Sequence, residues 1–273
     1  MSLKDYKSIG LIYSNNYGKI EKVIKGQDGP IFLMKTVNKK YLKYKDKKKT
    51  LSEIEKITSI NHPNLSKYIN YFFDEHFLYL IMEYEDEAEL IEKIKYNLEN
   101  HLSFEENYLW SLFVQILNLL KFIEENKNIE FNFTRFNILL MNDGLLKIYD
   151  YGQNYLKLPL NEDPWMNDLL ILPPELIDKT GNIITESVNI WKAGCIIYEL
   201  CTLNLPFEAN NFKRKLKLIG EKYSNDFNIL ISKMLVVDYK QRATIDELLN
   251  NEIIKNKTFE IEDNKINEDL FTF

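Results

Sequence analysis

The side chains best suited to chemistry gather in one stretch, Glu130-Phe131-Asn132-Phe133-Thr134-Arg135-Phe136-Asn137-Ile138-Leu139-Leu140, followed by Asp150-Tyr151-Gly152. Asparagine and aspartate side chains offer oxygens that accept hydrogen bonds and can ligate a hard cation. An amide cannot accept a proton from an alcohol at neutral pH, so Asn132 offers the stretch no general base. The plain alternative is a turn between a helix and a strand.

The elements that must position this stretch are legible on both sides of it. The first third reads as strands: Ile9 to Tyr13, Ile20 to Ile24 and Ile31 to Val37 are β-branched or aromatic runs parted by polar turns. Gly26-Gln27-Asp28-Gly29 reads as a hairpin turn. Lys47 to Ile60 reads as a helix, with Leu51, Ile54, Ile57 and Ile60 three residues apart, and His62-Pro63-Asn64 stops it. Strand character returns at Lys67 to Phe73 and Phe77 to Glu83. From Glu87 on the pattern is mainly helical. Ser103-Phe104-Glu105-Glu106 reads as a capping box opening a helix that is apolar nearly all round from Leu109 to Ile123. Val188 to Cys201 is a second buried helix. Strands first and helices after give an α+β chain rather than βαβ alternation.

Composition narrows the function classes. A chain of 273 residues with 45% apolar residues can fill a sizeable core. A formal net charge of −6 argues against a general nucleic-acid binder, which needs a basic face. Cys195 and Cys201 lie on one helix, about 9 Å apart in rise, which no disulfide spans. Met1 to Lys7 lacks the apolar core of a signal peptide, and Leu109 to Ile123 is too short and too interrupted to cross a bilayer. A cytoplasmic or nuclear setting without a membrane partner follows as the expectation. His62, His76 and His101 are scattered and suggest no metal site.

The order of motifs resembles that of eukaryotic protein kinases from about Ile9 to Ile254, leaning towards the NIMA-related or calcium/calmodulin-dependent groups. Glu130 to Asn137 stands at H-R-D-L-K-P-x-N and Asp150-Tyr151-Gly152 at D-F-G. Phe32-Leu33-Met34-Lys35 stands at V-A-I-K, Leu78 to Tyr84 at the fifth strand and hinge, and Pro173-Pro174-Glu175 at A-P-E. Asn189 to Gly194 resembles D-V-W-S-x-G, and Asp238 with Arg242 fits D-x-x-x-R, where Arg242 would pair with Glu175. The resemblance implies a bilobal fold, with a small antiparallel-sheet lobe plus one helix over 1–84 and a larger, mainly helical lobe over 85–255. Residues 256–273 would form an acidic tail. It also implies a nucleotide site of Gly18, Lys35, Glu53, Glu83, Tyr84 and Leu139, with Met82 guarding the pocket, Lys35 paired to Glu53, and Asn137 and Asp150 on Mg²⁺.

The departures from the pattern are concentrated in the chemistry. The base aspartate is Asn132, the histidine Glu130, the arginine Phe131 and the phosphate-contacting lysine Thr134, so no catalytic set is intact. Of the three phosphate-loop glycines only Gly18 remains in Tyr13 to Gly18. Leu33 and Tyr149 narrow the adenine slot or pack as ordinary core. Between Asp150 and Glu175 there is no serine or threonine, Asp168 replaces the expected threonine, and Tyr155 is the one phosphorylatable residue beyond the metal motif. These departures imply a pseudokinase: a protein-binding scaffold or allosteric regulator whose partner is a protein, an active kinase or its substrate, with weak or absent ATP binding. The alternative is a slow or non-canonical ATP-dependent Ser/Thr protein kinase. Further candidate surfaces are Leu169-Leu170-Ile171-Leu172, the basic run Lys39 to Lys49, and the tail ending in Leu270, Phe271 and Phe273.

Overall fold

A computed structural model describes residues 2–14, 18–43, 47–85, 88–126, 131, 134–152, 171–177, 185–207 and 217–270. Five strands come first: β1 (Tyr6–Ser14), β2 (Gly18–Lys25) and β3 (Ile31–Asn38), then, after helix α1 (Lys47–Thr58), β4 (Tyr68–Phe73) and β5 (Phe77–Glu83). They form one antiparallel sheet in the order β1-β2-β3-β5-β4. The β2–β3 hairpin turns at Gly26, whose φ of 75° suits a residue without Cβ. Alternation on β3 sends Phe32 and Met34 to one face and Leu33 and Lys35 to the other. On the first face Val23, Met34, Tyr79 and Ile81 form a core under Tyr6, Phe32, Phe72 and Phe77.

The contact pattern divides the chain into two compact units, each described here by itself. The first comprises 1–87, 127–132 and 147–166; the second comprises 88–126, 133–146 and 167–273. The chain returns to the first unit twice, the second time with Asp150.

The second unit opens with β6 (Ala88–Glu89), α2 (Leu90–Glu99) and α3 (Glu106–Glu125), and β6 pairs antiparallel with β7 (Ile138–Leu140). A turn from Met141 to Leu145 leads into β8 (Leu146–Ile148). The remaining helices are α4 (Pro174–Ile177), α5 (Thr185–Thr202), α6 (Asn225–Met234), α7 (Ile245–Leu249) and α8 (Glu252–Leu270). Burial of α3 follows from its composition: Leu109, Leu112, Phe113, Ile116 and Leu117 are all fully enclosed, and Trp110 stacks on Phe227 at 3.9 Å. Its one inward amide, Gln115, donates to Gly144 O and accepts from Leu146 N–H, at 2.9 and 2.8 Å, which fixes the turn before β8. Among the described residues no helix is long and apolar enough to cross a membrane.

One expectation needs correction. The capping box at Ser103 does not form: the N-cap of α3 is Glu105, and no side chain caps it. Ser103 Oγ instead accepts from Lys222, and Glu106 accepts from Trp110 Nε1 and Ser224 N. Those partners come from elsewhere in the unit and outcompete the local motif. The tail continues as helix α8 to Leu270, although Phe271 and Phe273 lie outside the described residues. In the apolar run, Ile171 and Leu172 are buried, while Leu169 and Leu170 lie outside the described residues.

Candidate functional site

In the first unit, β3 carries Lys35 on the face opposite Phe32 and Met34. The segment that returns with Asp150 is fixed by backbone bonds to the loop before β4: Ile148 N donates to Asn64 O at 2.9 Å and Ser66 N donates to Ile148 O at 3.0 Å. Tyr68 Oη then donates to Tyr151 O at 2.6 Å, and the two rings meet edge to face. Between these anchors Asp150 adopts φ 50°, a left-handed conformation that aspartate tolerates better than most residues. Its carboxylate faces Lys35 squarely, with Nζ 2.8 Å from both oxygens and both side chains more than nine-tenths buried.

That pairing corrects one expectation. Lys35 is held by Asp150, not by Glu53, whose Oε1 accepts from Lys56 Nζ at 2.6 Å one helical turn along α1. A neighbour at i,i+3 is always within reach on a helix, and Lys35 already has a full carboxylate partner. Of the other residues expected around a nucleotide, Tyr84 accepts from Lys22, whose ammonium also lies 4.5 Å from the Tyr84 ring centre. Glu83 accepts from Lys67 N at 3.1 Å. Ile20, Leu33, Met82 and Tyr149 are all buried. Burial also holds the Tyr151 phenol well above its ordinary value, with a smaller push from Glu83.

Gly18 has a structural duty of its own. A Cβ there would stand 1.8 Å from the backbone oxygen of Thr36, because Gly18 pairs with Val37 across the β2–β3 ladder. The resemblance implies a phosphate role for this glycine; the strand pairing is a separate reason for a residue without Cβ here.

In the second unit, Leu139 is buried on β7, opposite Glu89. Asn137 lies just before β7, and its carboxamide oxygen accepts from Thr134 N at 3.0 Å and Thr134 Oγ1 at 3.1 Å. Thr134 Oγ1 in turn accepts from Phe136 N at 3.3 Å. Thr134 is fully enclosed and Asn137 nearly so. An amide oxygen has two lone pairs, and both point at donors here. Taking that oxygen for a metal would strand two buried donors, at about 1–3 kcal/mol each. Of the expected ligand set, then, Asp150 fits a metal–nucleotide and Asn137, as arranged, does not.

Sequence reasoning missed Arg135. Its Nη1 lies 2.8 Å from Glu199 Oε1, and this ion pair is buried against α5. The signal was a lone charge among Phe131, Phe133 and Phe136. Arg242 and Glu175 do pair as the resemblance implies, through two bonds of 2.7 and 3.0 Å. Asn132, Glu130, Tyr155 and Asp168 lie outside the described residues. Among the described residues no cluster of His, Cys, Asp or Glu forms a metal centre.

Comparison with known proteins places this geometry. The chain matches the protein kinase domain over residues 6–254. It is 27% identical over 282 residues to the probable serine/threonine-protein kinase nek2 of Dictyostelium discoideum, covering 97% of this chain and 66% of that protein. It is 27% identical over 265 residues to mouse serine/threonine-protein kinase Nek1, covering 92% of this chain and 21% of that protein. An Aurora kinase of Candida glabrata is 29% identical over 269 residues, covering 95% of this chain and 74% of that one. The chain thus spans about two thirds of the first of these relatives and about a fifth of the second. With nearly its whole length inside that match, the chain belongs to the eukaryotic protein kinase superfamily, with NIMA-related kinases among its relatives.

Proposed function

We propose that this kinase domain is a pseudokinase: its ATP binding is weak or absent, it does not transfer phosphate, and it acts by binding another protein. The observation that carries this reading is that, within each unit, the polar groups which the resemblance assigns to nucleotide and metal already have partners. Lys35 is on Asp150, Asn137 on Thr134, and Tyr84 on Lys22. A phosphate entering beside Lys35 must displace a carboxylate at 2.8 Å. Buried Leu33 and Tyr149 add bulk where the resemblance puts adenine. Bound magnesium would supply charge neutralisation at the phosphates; of this chain's residues, Lys35 and Asp150 would hold the complex. Asn132 gives no acceptor for an alcohol proton, and loss of a positioned base lowers a rate about 10²–10⁴-fold. The regulatory partner is a protein, an active kinase or its substrate, in the cytosol or nucleus.

A second reading, a slow Ser/Thr protein kinase, draws on the chain's similarity to serine/threonine-protein kinases and on the assembled Lys35–Asp150 pair. One experiment separates the two. Phosphate transfer to a generic protein substrate is measured for the unaltered chain, for Asn132→Asp and for Asp150→Ala, alongside melting temperature with ATP and Mg²⁺. The pseudokinase reading expects a small thermal shift that needs Lys35, and no transfer above the Asp150→Ala background. Magnesium-dependent transfer by the unaltered chain, lost in Asp150→Ala, would establish the slow enzyme instead.

A further inference from the structure

We propose that the cleft between α3 and α8, within the second unit, docks an arginine-bearing basic segment of a partner protein. The proposal gives a surface to the protein-binding part of the proposed function and rests on that part alone. The two helices pack against each other and leave a cleft of about 310 Å³ between them. Trp110, Phe259 and Ile261 give it an apolar wall; Lys257, Glu260 and Asp263 give it charge. A volume at the small end of the range for ligand clefts suits one long side chain rather than a whole helix.

Charge says what that side chain is. One lysine here stands against Glu260, Glu262 and Asp263 on α8 and Glu106 on α3, which accepts from Trp110 Nε1. An acidic or phosphorylated segment would be repelled, and an apolar one would have to strip water from carboxylates. The protein's own packing points the same way. The Lys257 ammonium lies 5.8 Å from the centre of the Trp110 ring and 2.7 Å from Glu260 Oε2, so a ring with a carboxylate beside it already holds a cation. Trp110 is buried, but Phe259 is 70% exposed, and the exposed Asp263 follows it four residues on, on the same helix face. A guanidinium can lie on a phenyl ring and offer its planar fork to a carboxylate at once, which an ammonium does less well.

The probe is a fluorescein-labelled peptide of three arginines spaced by glycine and serine, titrated with the intact chain at low salt and followed by fluorescence anisotropy. The unaltered chain should bind it, and bind the same peptide with citrulline for arginine about tenfold more weakly. Phe259→Leu keeps an apolar side chain and removes the ring, and should weaken binding about two- to fivefold, the size of an exposed cation–ring contact. Phe259→Tyr keeps the ring and should match the unaltered chain. Asp263→Asn should weaken binding by up to about fivefold. Glu75→Gln, at a carboxylate of the first unit that is 88% exposed, reports general attraction to an acidic chain and should change nothing. Melting temperature shows whether each variant is folded; should Asp263→Asn not fold, the Phe259 variants and the citrulline peptide decide alone. No binding, equal binding of the citrulline peptide, unchanged binding in Phe259→Leu, or an equal loss in Glu75→Gln would overturn the docking site while leaving the phosphate-transfer result untouched. Phosphate transfer by the unaltered chain would in turn defeat the pseudokinase reading and leave the docking site standing.

Discussion

Lys35–Asp150 in the first unit and Arg242–Glu175 in the second are both buried ion pairs between distant residues, yet they are built on different plans. Arg242 reaches both Glu175 oxygens, donates again to Ser187 O and Oγ at 2.7 and 3.1 Å and to Val236 O at 3.0 Å, and lays its guanidinium 4.8 Å from the centre of the Trp191 ring. Shape, direction and charge all specify that contact, as a planar fork of donors allows. Lys35 brings one ammonium to one carboxylate, carried on a residue with left-handed backbone. Charge alone specifies that contact. The first plan suits a permanent strut that joins α4 to α5 through Arg242. The second suits a pair that a competing anion can part, as the proposed nucleotide binding requires.

The largest effect expected from breaking this comparison lies at the strut. Arg242→Met should destabilise the second unit by about 3–5 kcal/mol, the range for removing one member of a buried pair. Arg242→Lys should recover less than half of that loss, since an ammonium cannot serve Glu175, Ser187 and Val236 at once. Lys35→Met should cost the first unit less, towards the lower end of that range of about 3–5 kcal/mol, because one carboxylate is stranded rather than a carboxylate with two further acceptor groups. Urea unfolding with hydrogen exchange resolved by segment measures both. Equal losses at the two sites would show that the two pairs are struts of the same kind.

A pair of glycines sharpens the contrast at smaller magnitude. At Gly18 an added Cβ meets a backbone oxygen at 1.8 Å, and a ladder cannot yield by rotating a side chain. Gly18→Ala should cost about 1–3 kcal/mol with no nucleotide present. At Gly194 in α5 the added Cβ meets Leu235 Cδ2 at 3.0 Å, a side-chain end that can give, and Met234 Cβ at 2.9 Å, which moves only with its helix. Alanine also gains about 1 kcal/mol over glycine inside a helix. Gly194→Ala should therefore change stability by less than about 1 kcal/mol. Denaturant midpoints of the two variants give the ranking, and a silent Gly18→Ala would return that glycine to the phosphate role.

These cases show where sequence was enough. Strand and helix periods located β1 to β5, α1, α3 and α5 because each buries one face, or all faces, of a regular element, and burial writes a period into the chain. Arg242 and Glu175 were legible as a pair because the family pattern fixes both ends. Pairings with several eligible partners were not legible. Glu53 had Lys35 and Lys56 within plausible reach, and the choice turned on the backbone angle of Asp150, which no sequence displays. Ser103 and Glu106 spell a capping box, yet Lys222, Ser224 and Trp110 compete for them from other elements. The tie between Thr134 and Asn137 was hidden because Thr134 was weighed only as a missing lysine, for the charge it lacks rather than for the hydroxyl it brings.

Acid should separate the two units by the smallest effect, and in a defined order. His62 follows α1 in the first unit, and its Nδ1 accepts from Asn64 N at 3.1 Å. Burial depresses its pKa below the ordinary 6.5. The unfolded chain therefore takes up this proton near 6.5 while the folded chain still resists it, so stability is fully present above that pH and falls as pH drops below it. One proton sets a ceiling of about 1.4 kcal/mol per pH unit on the slope. In the second unit burial raises the Glu106 carboxyl, but bonds from Ser224 and Trp110, with the charge of Lys257, outweigh it and leave the group below its ordinary 4.5. Its contribution is present above 4.5 and lost only under more acid conditions. Hydrogen exchange at pH 7.5 and pH 5.5 should thus show the Asn64–Ser66 amides losing protection before those of α3, and His62→Gln should remove the difference. Loss of protection in α3 first, or an unchanged profile in His62→Gln, would place the acid-sensitive group elsewhere.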